Sequence, residues 1–557
     1  MADSDLRIAY YLNVYNAVYE TLLVGESAAA SEQVRLCTPR SQVLAGSGTK
    51  SEPRLMINNR IEGRTVMTLP NILLILSDQH AQRISGCYGD KLAETPNIDR
   101  LAANGVTFNN AYCPSPICVP SRMSMLTGRH PVEQKCWTLQ DYLPSDYPTW
   151  AHAVGAAGYY PTLIGRLHSV GPDQLRGYAE RRLGDIGPNW LGVTRQDLGV
   201  LANAQGPSPL SLINSGPGQS GYQLADMATT EMACAYLNEV AASGDQGKRR
   251  PFCATVGLVL PHCPFVAWPD DYACFEGRVD MPRLPRADQS QEHPWIKWWI
   301  EDRGIANPDH AAVLRARAAY YGLVRRMDIM VGQVLDTLHA TGLAENTLVI
   351  YCSDHGEHLG ERGLWWKNTL FDEATKVPLI LSWPGHLPCG EQRDQVVNLV
   401  DVGATIIEAA RAPALPRSSG KSLLTIAAAA QAHWISETYS EYVTDVVTHW
   451  TGNRSTQQRM IRSGPWKLHY IHEEPLLLFN LESDPDELNN MAEDAKFRGV
   501  RDALLSKVLV GWDPDLIRRE TNIRRLEKDL LANWGAATSP VSTYTYPISA
   551  SDSWLNE

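Results

Sequence analysis

No two of the eleven cysteines form a CxxC pair, and they are scattered along 557 residues without a dense framework. An odd, dispersed set of thiols argues against a disulfide-stapled scaffold and fits a reducing compartment. Long apolar runs are missing too: no stretch approaches the roughly 20 residues needed to span a bilayer. The N-terminus begins Met-Ala-Asp-Ser-Asp, without a basic flank and apolar core, so no secretory leader is evident. Together these absences predict a cytoplasmic protein with no membrane partner. Lysine and arginine never gather into a long block and the net charge is −12, which argues against nucleic acid as a partner. An anionic ligand must then be captured by local positive charge in a cleft, against the overall field. Internal repeats are absent, as is low-complexity sequence beyond a short alanine run at 427–430.

What is present is the composition of a globular protein, 44% hydrophobic and 20% charged, long enough for two or more domains. Residues 1–66 read as an N-terminal extension: an amphipathic helix over Leu6–Leu23, then a polar, basic linker over 24–66. That linker contains Ile61-Glu62-Gly63-Arg64, the letters of a common protease tag site, and Met67 offers an alternative start. Residues 67–415 read as a catalytic α/β domain. Asn71–Leu76 and Thr347–Cys352 are continuous apolar runs, as expected of strands buried on both faces. Pro96–Gly105 predicts a short helix ended by its glycine, and a long helix is predicted over about Ala311–Leu343. Beyond 415 the spacing predicts a smaller C-terminal α+β domain and tail. Its strands are expected around Arg459–Arg462, Trp466–Tyr470 and Leu476–Asn480, with Asp484-Pro485-Asp486-Glu487 capping a helix.

Asp78 and Gln79 follow the first apolar run, and Asp354 and His355 follow the second. Acidic residues at the C-terminal ends of parallel strands can converge in one crevice, and their hard oxygens suit Ca²⁺, Mg²⁺ or Mn²⁺. Either pair alone is equally what a loop or helix cap would use. A further segment, Cys118-Val119-Pro120-Ser121-Arg122, alters the balance.

Four stretches now stand in order: LSDQ at 76–79, CVPSR at 118–122, GRLHSVGPDQLRGY at 165–178 and SDHGEHLGERGLWWK at 353–367. From Asn71 to about Met491 the chain resembles type I sulfatases of the alkaline phosphatase superfamily, nearest the choline sulfatase and phosphonate monoester hydrolase subgroup. The resemblance implies an alkaline-phosphatase-like mixed sheet sandwiched by helices. It implies that a formylglycine-generating enzyme oxidises Cys118 to formylglycine, whose hydrate is the nucleophile. Asp78, Gln79, Asp354, His355 and the matured residue 118 would hold one divalent cation. Ca²⁺ is the family default, and the imidazole makes Mn²⁺ more suitable than usual. Arg122 would hold the matured side chain or its metal-bound oxygen.

The family pattern Gly-Lys-x-His reads Gly165-Arg166-Leu167-His168 here. Arginine keeps the charge and gains a bidentate fork but cannot shuttle a proton, so Arg166 is expected to bind a substrate oxygen. His168 resembles the base that draws a proton from the hydrate, and His262 the acid for the leaving oxygen. Lys367 matches a second oxygen-binding cation. His80, His130, His310, His358 and His386 have no spacing that compels a role. The implied substrate is a small anionic ester, with phosphonate monoesters or phosphodiesters as the alternative to sulfates, and the assembly a homo-oligomer. Choline sulfatase proper is a further alternative, with choline sulfate as the sole substrate not favoured. Where choline sulfatases carry an acidic residue and glycine after Glu-Tyr, the chain reads Glu441-Tyr442-Val443-Thr444-Asp445-Val446, and Trp190 is the candidate aromatic wall. A catalytically dead relative is disfavoured, because the motif set is intact apart from the Arg166 change.

Overall fold

The computed structural model describes residues 69–243, 250–288, 290, 292–445 and 454–556. The helix and linker expected within residues 1–66 lie outside them. In chain order the first strands are β1 (Asn71–Asp78), β2 (Val106–Tyr112), β3 (Tyr160–Gly165) and β4 (Glu180–Leu183). Then come β5 (Gly216–Gln219), β6 (Phe252–Pro261), β7 (Val266–Ala267), β8 (Thr347–Ser353), β9 (Leu379–Ser382) and β10 (Glu391–Asn398). Eight of these form one sheet in the order β10-β2-β9-β8-β1-β6-β3-β4. β1 lies between β6 and β8, parallel to both, and β3 is parallel to β6. β9 alone runs against its neighbours, β2 and β8, making the sheet mixed.

β1 shows why its sequence is apolar without interruption. Successive side chains of a strand point to opposite faces. Leu73 and Ile75 pack into one core with Tyr320, Val324 and Met327 of the His310–Ala340 helix. Ile72, Leu74 and Leu76 pack into the other with Met123 and Leu126 of the Cys118–Thr127 helix. Both faces are thus helix-covered, and the predicted two-sided burial holds.

A second sheet, antiparallel in the order β11-β12-β13-β14, follows: β11 (Glu437–Thr444), β12 (Thr456–Ser463), β13 (Trp466–Ile471) and β14 (Leu477–Asn480). The helix expected after Asp484 is not there. The Asp484 carboxylate instead accepts the amides of Leu488 at 3.1 Å and Asn489 at 2.8 Å. Glu487 has φ +46°, which takes it out of the right-handed helical region. The next α-helix begins only at Arg498. Two further helices, Arg498–Val508 and Pro514–Thr538, precede the terminal β15 (Trp554–Leu555), which pairs with β5. Among the described residues no helix is long and apolar enough to cross a membrane.

Candidate active site

The parallel strands β1, β8, β6 and β3 all end at the same edge of the sheet, and each hands over a charged or polar group there. Asp78 closes β1, Asp354 and His355 follow β8, His262 follows β6, and Arg166 follows β3. Cys118 enters from the side, opening a helix whose ten residues are all buried. Arg122 lies one turn further on and faces the same way, as a four-residue spacing requires.

The Cys118 thiol, 1% exposed, lies 3.1 Å from Lys367 Nζ, 3.2 Å from His355 Nε2 and 3.6 Å from Asp78 Oδ1. One ligand atom from each of Asp78, Cys118, Asp354 and His355 falls within 4.8 Å of the others. His355 Nδ1 faces the Gly356 carbonyl at 3.1 Å, and a carbonyl can only accept. The neutral ring therefore turns a lone pair at Nε2 toward the cluster. Burial, and Lys367 among its neighbours, drives its pKa down to about 4, which keeps it neutral. Two carboxylates, one imidazole and one amide oxygen make a donor set that fits a divalent cation.

Gln79 supplies that amide oxygen. Its Nε2 donates to Glu357 Oε2, and its Oε1 accepts from Lys367 Nζ at 2.8 Å. Glu357 also accepts the amides of Leu359 and Trp366, each at 2.7 Å, so the amide plane is fixed with its oxygen inward.

The arginines bind the carboxylates of the cluster. Arg122 donates to Asp354 Oδ2 at 2.8 Å and Asp78 Oδ2 at 3.1 Å, so its fork aligns the two carboxylates rather than reaching the thiol. Arg166 donates to Asp78 Oδ2 at 2.6 Å, Asp185 Oδ1 at 3.2 Å and His168 Nδ1 at 2.9 Å. Burial would raise the Asp78 pKa, but the charges of Arg166, Arg122 and Lys367 hold it well below the usual carboxylate range. Since Arg166 only donates, His168 Nδ1 must accept, and the neutral ring carries its proton on Nε2. His262 is the opposite case. Its Nδ1 faces the Cys263 carbonyl at 2.6 Å, leaving a lone pair at Nε2 directed to Lys367 Nζ at 3.1 Å.

Sequence reasoning missed four supporting residues. Asp185 accepts the amides of Leu167 and His168 besides Arg166, and Asp226 accepts the Val259 and Leu260 amides that aim the His262 loop. Glu357 orients Gln79, and the Tyr222 ring meets His262 edge-on at 6.3 Å. Glu357 stands inside the quoted 353–367 stretch, and Asp185 just beyond β4, so strand-end position was an available signal for both. His358 and His80 are structural: the first meets Thr369 Oγ1 at 2.7 Å, the second lies between Tyr351 and the Ile84 carbonyl.

A cavity of about 750 Å³ opens over Cys118, Arg166, His168, His262 and Lys367. Its outer wall includes Trp190, Ala532 and Ile548. Glu441 does not line it, being buried in β11, where it accepts from the Val132 amide at 3.1 Å and Trp512 Nε1 at 3.2 Å. Asp445 is paired with Lys528 at 2.8 Å. Glu441 and Asp445 are thus committed to the fold.

A mixed α/β sheet carries a cationic, cysteine-bearing cavity at its strand ends, a site suited to an anionic ester. The Sulfatase family profile matches residues 70–412, and the profile of the N-sulphoglucosamine sulphohydrolase C-terminal region matches residues 360–510. The chain belongs to the sulfatase family and is a hydrolase acting on sulfate esters. It is 31% identical over 440 residues to a choline-sulfatase of Rhizobium meliloti, covering 77% of this chain and 83% of the relative. It is 28% identical over 462 residues to arylsulfatase K of Canis lupus familiaris, covering 79% and 82%. The crystal structure of a phosphonate monoester hydrolase of Agrobacterium radiobacter shares the fold at a TM-score of 0.64 and 22% identity, covering 79% of this chain and 95% of that one.

Proposed function

We propose that this chain hydrolyses organic sulfate monoesters through residue 118, matured from cysteine to formylglycine, beside one divalent cation. The observation that carries this reading is the Cys118 thiol, within 3.2 Å of both an imidazole lone pair and an ammonium at the cavity floor. Asp78, Gln79, Asp354 and His355 would hold the cation, Ca²⁺ before Mn²⁺ or Mg²⁺. Once present, the aldehyde hydrate supplies a nucleophile and the cation acidifies it.

The chain's own groups do the rest. Arg122 locks both carboxylates in place. Arg166 and Lys367 offer positive charge to the sulfuryl oxygens, where charge develops in the transition state. Neutral His262 is an acceptor at Nε2 and becomes an acid there only after gaining a proton. It then delivers that proton to the leaving oxygen as the S–O ester bond breaks. His168 donates at Nε2 in its present tautomer. To serve as base it must exchange that proton, and Arg166 sets the cost by occupying Nδ1.

Phosphonate monoester hydrolysis is the second reading, because Arg166, Lys367 and the divalent cation suit either tetrahedral centre. The ten described cysteines are unpaired, which supports a reducing, cytoplasmic location and access to a formylglycine-generating enzyme. Leu516, Ile523, Leu526 and Leu530 form an exposed apolar stripe along the Pro514–Thr538 helix, which supports a homo-oligomer.

The test is an initial-rate comparison of an aryl sulfate with the matching aryl phosphonate monoester, with Cys118→Ala in parallel. Sulfate is expected to be preferred, and Cys118→Ala to lose at least about a thousandfold in kcat. A phosphonate preference transfers the chain to the second reading. Undiminished Cys118→Ala activity removes the nucleophile.

A further inference from the structure

The charges around the cavity are sharply one-sided. Among the described residues that line it, Arg166, Lys367 and Arg195 are cations and Asp185 is the single carboxylate. This excess stands out in a chain of net charge −12. Asp185 is also already spent: it accepts from Arg166 and from the amides of Leu167, His168 and Ile186. Arg166 and Lys367 belong to the reaction centre. Arg195 does not. It is exposed and stands in the Trp190–Gln196 run that forms the outer wall.

Its position relative to the chemistry can be traced. Lys367 Nζ is 3.1 Å from His262 Nε2, and the His262 ring meets Tyr222 at 6.3 Å. Tyr222 and Arg195 both line the same cavity. The cavity that opens over Lys367, His262 and Tyr222 thus also reaches Arg195. The alcohol portion of an ester, starting at the leaving oxygen beside His262, extends along it. A cavity of about 750 Å³ has room for an aryl- or monosaccharide-sized group there.

Building on the sulfatase reading above, we infer that Arg195 is a specificity residue that binds a second anionic group, a carboxylate or another sulfate, on the alcohol portion of the substrate. The guanidinium fork suits either oxyanion. A quaternary ammonium is the wrong complement: recognising one takes an aromatic face aided by a carboxylate. No lining carboxylate is left for that, and Glu441 and Asp445 are committed elsewhere.

The test compares kcat/KM for three phenyl sulfates bearing para-carboxymethyl, para-carboxamidomethyl and para-trimethylammoniomethyl groups, the methylene damping effects on the leaving group. Wild type, Arg195→Gln and Arg195→Glu are run together. The wild type is expected to favour the acid over the amide by about tenfold, the worth of one charge-assisted contact. That ratio should fall toward one in Arg195→Gln and turn in favour of the ammonium ester in Arg195→Glu. A ratio unchanged in both variants, or a wild-type preference for the ammonium ester, overturns the assignment of Arg195 and leaves the sulfatase reading intact. Failure to turn over any of the three sulfates overturns that reading, and this inference falls with it.

Discussion

Two buried ionic clusters, one around Cys118 and one around Lys467, are built from the same kinds of side chain to opposite ends. Lys467, fully buried on β13, meets Asp372 at 2.6 Å and Glu487 at 2.9 Å, with His469 at 3.3 Å from Glu487. Lys376 stands 3.8 Å from Asp372 as well, and Glu487 also accepts the Asp372 amide at 2.8 Å. Phe371 closes the cluster edge-on against His469 at 5.4 Å. Around Cys118, Arg122, Arg166 and Lys367 face Asp78, Asp354 and Asp185, and a cavity lies open above them. Buried charge alone therefore marks no active site. Access from an open cavity does.

The largest test of that contrast is Asp354→Asn. It removes one ligand charge and one partner of Arg122, and should cost on the order of a hundredfold in kcat/KM with weaker retention of the cation, read by metal analysis after dialysis. Lys467→Met should act on stability instead. It strands Asp372 and Glu487, costing about 3 kcal/mol in urea unfolding, while turnover per folded molecule stays within about twofold. A comparable loss of turnover in both variants would erase the distinction between the clusters.

The smallest effect concerns Glu441, whose nearest cation, Arg459, is 3.6 Å away. Burial lifts its pKa to about 7, with Arg459 and the Trp512 hydrogen bond opposing. Between an ordinary value near 4.5 and that raised value, the native state keeps a proton that the unfolded chain has lost. Stability then falls as pH rises through the window. Glu441→Gln should gain on wild type by on the order of 1 kcal/mol at pH 7.5 relative to pH 5, measured by urea unfolding. A pH-independent difference would show that Glu441 is ionised throughout.

Much of this was legible in sequence because it is local. Two-sided burial leaves uninterrupted apolar runs, so β1 and β8 announced themselves, and the groups at their C-terminal ends followed. The Cys118 helix carried Arg122 at a spacing that fixes its direction. The illegible parts are those decided across the chain. Glu357 orients Gln79 over 278 positions, and Arg166 turns out to pair with His168 only because Asp78 and Asp185 fix its guanidinium. Asp484-Pro485-Asp486-Glu487 looks like a helix start, but Glu487 is drawn inward by Lys467, a partner no local pattern reveals.

The depth of Cys118 also sets a clock. Its thiol is walled in by Lys367, which is made 249 residues later, and at a synthesis rate of about 5–20 residues per second that wall arrives on the order of 10–50 s after the cysteine. Any other protein that acts on this thiol must do so while the second half of the sheet is still being translated, or wait for the domain to open.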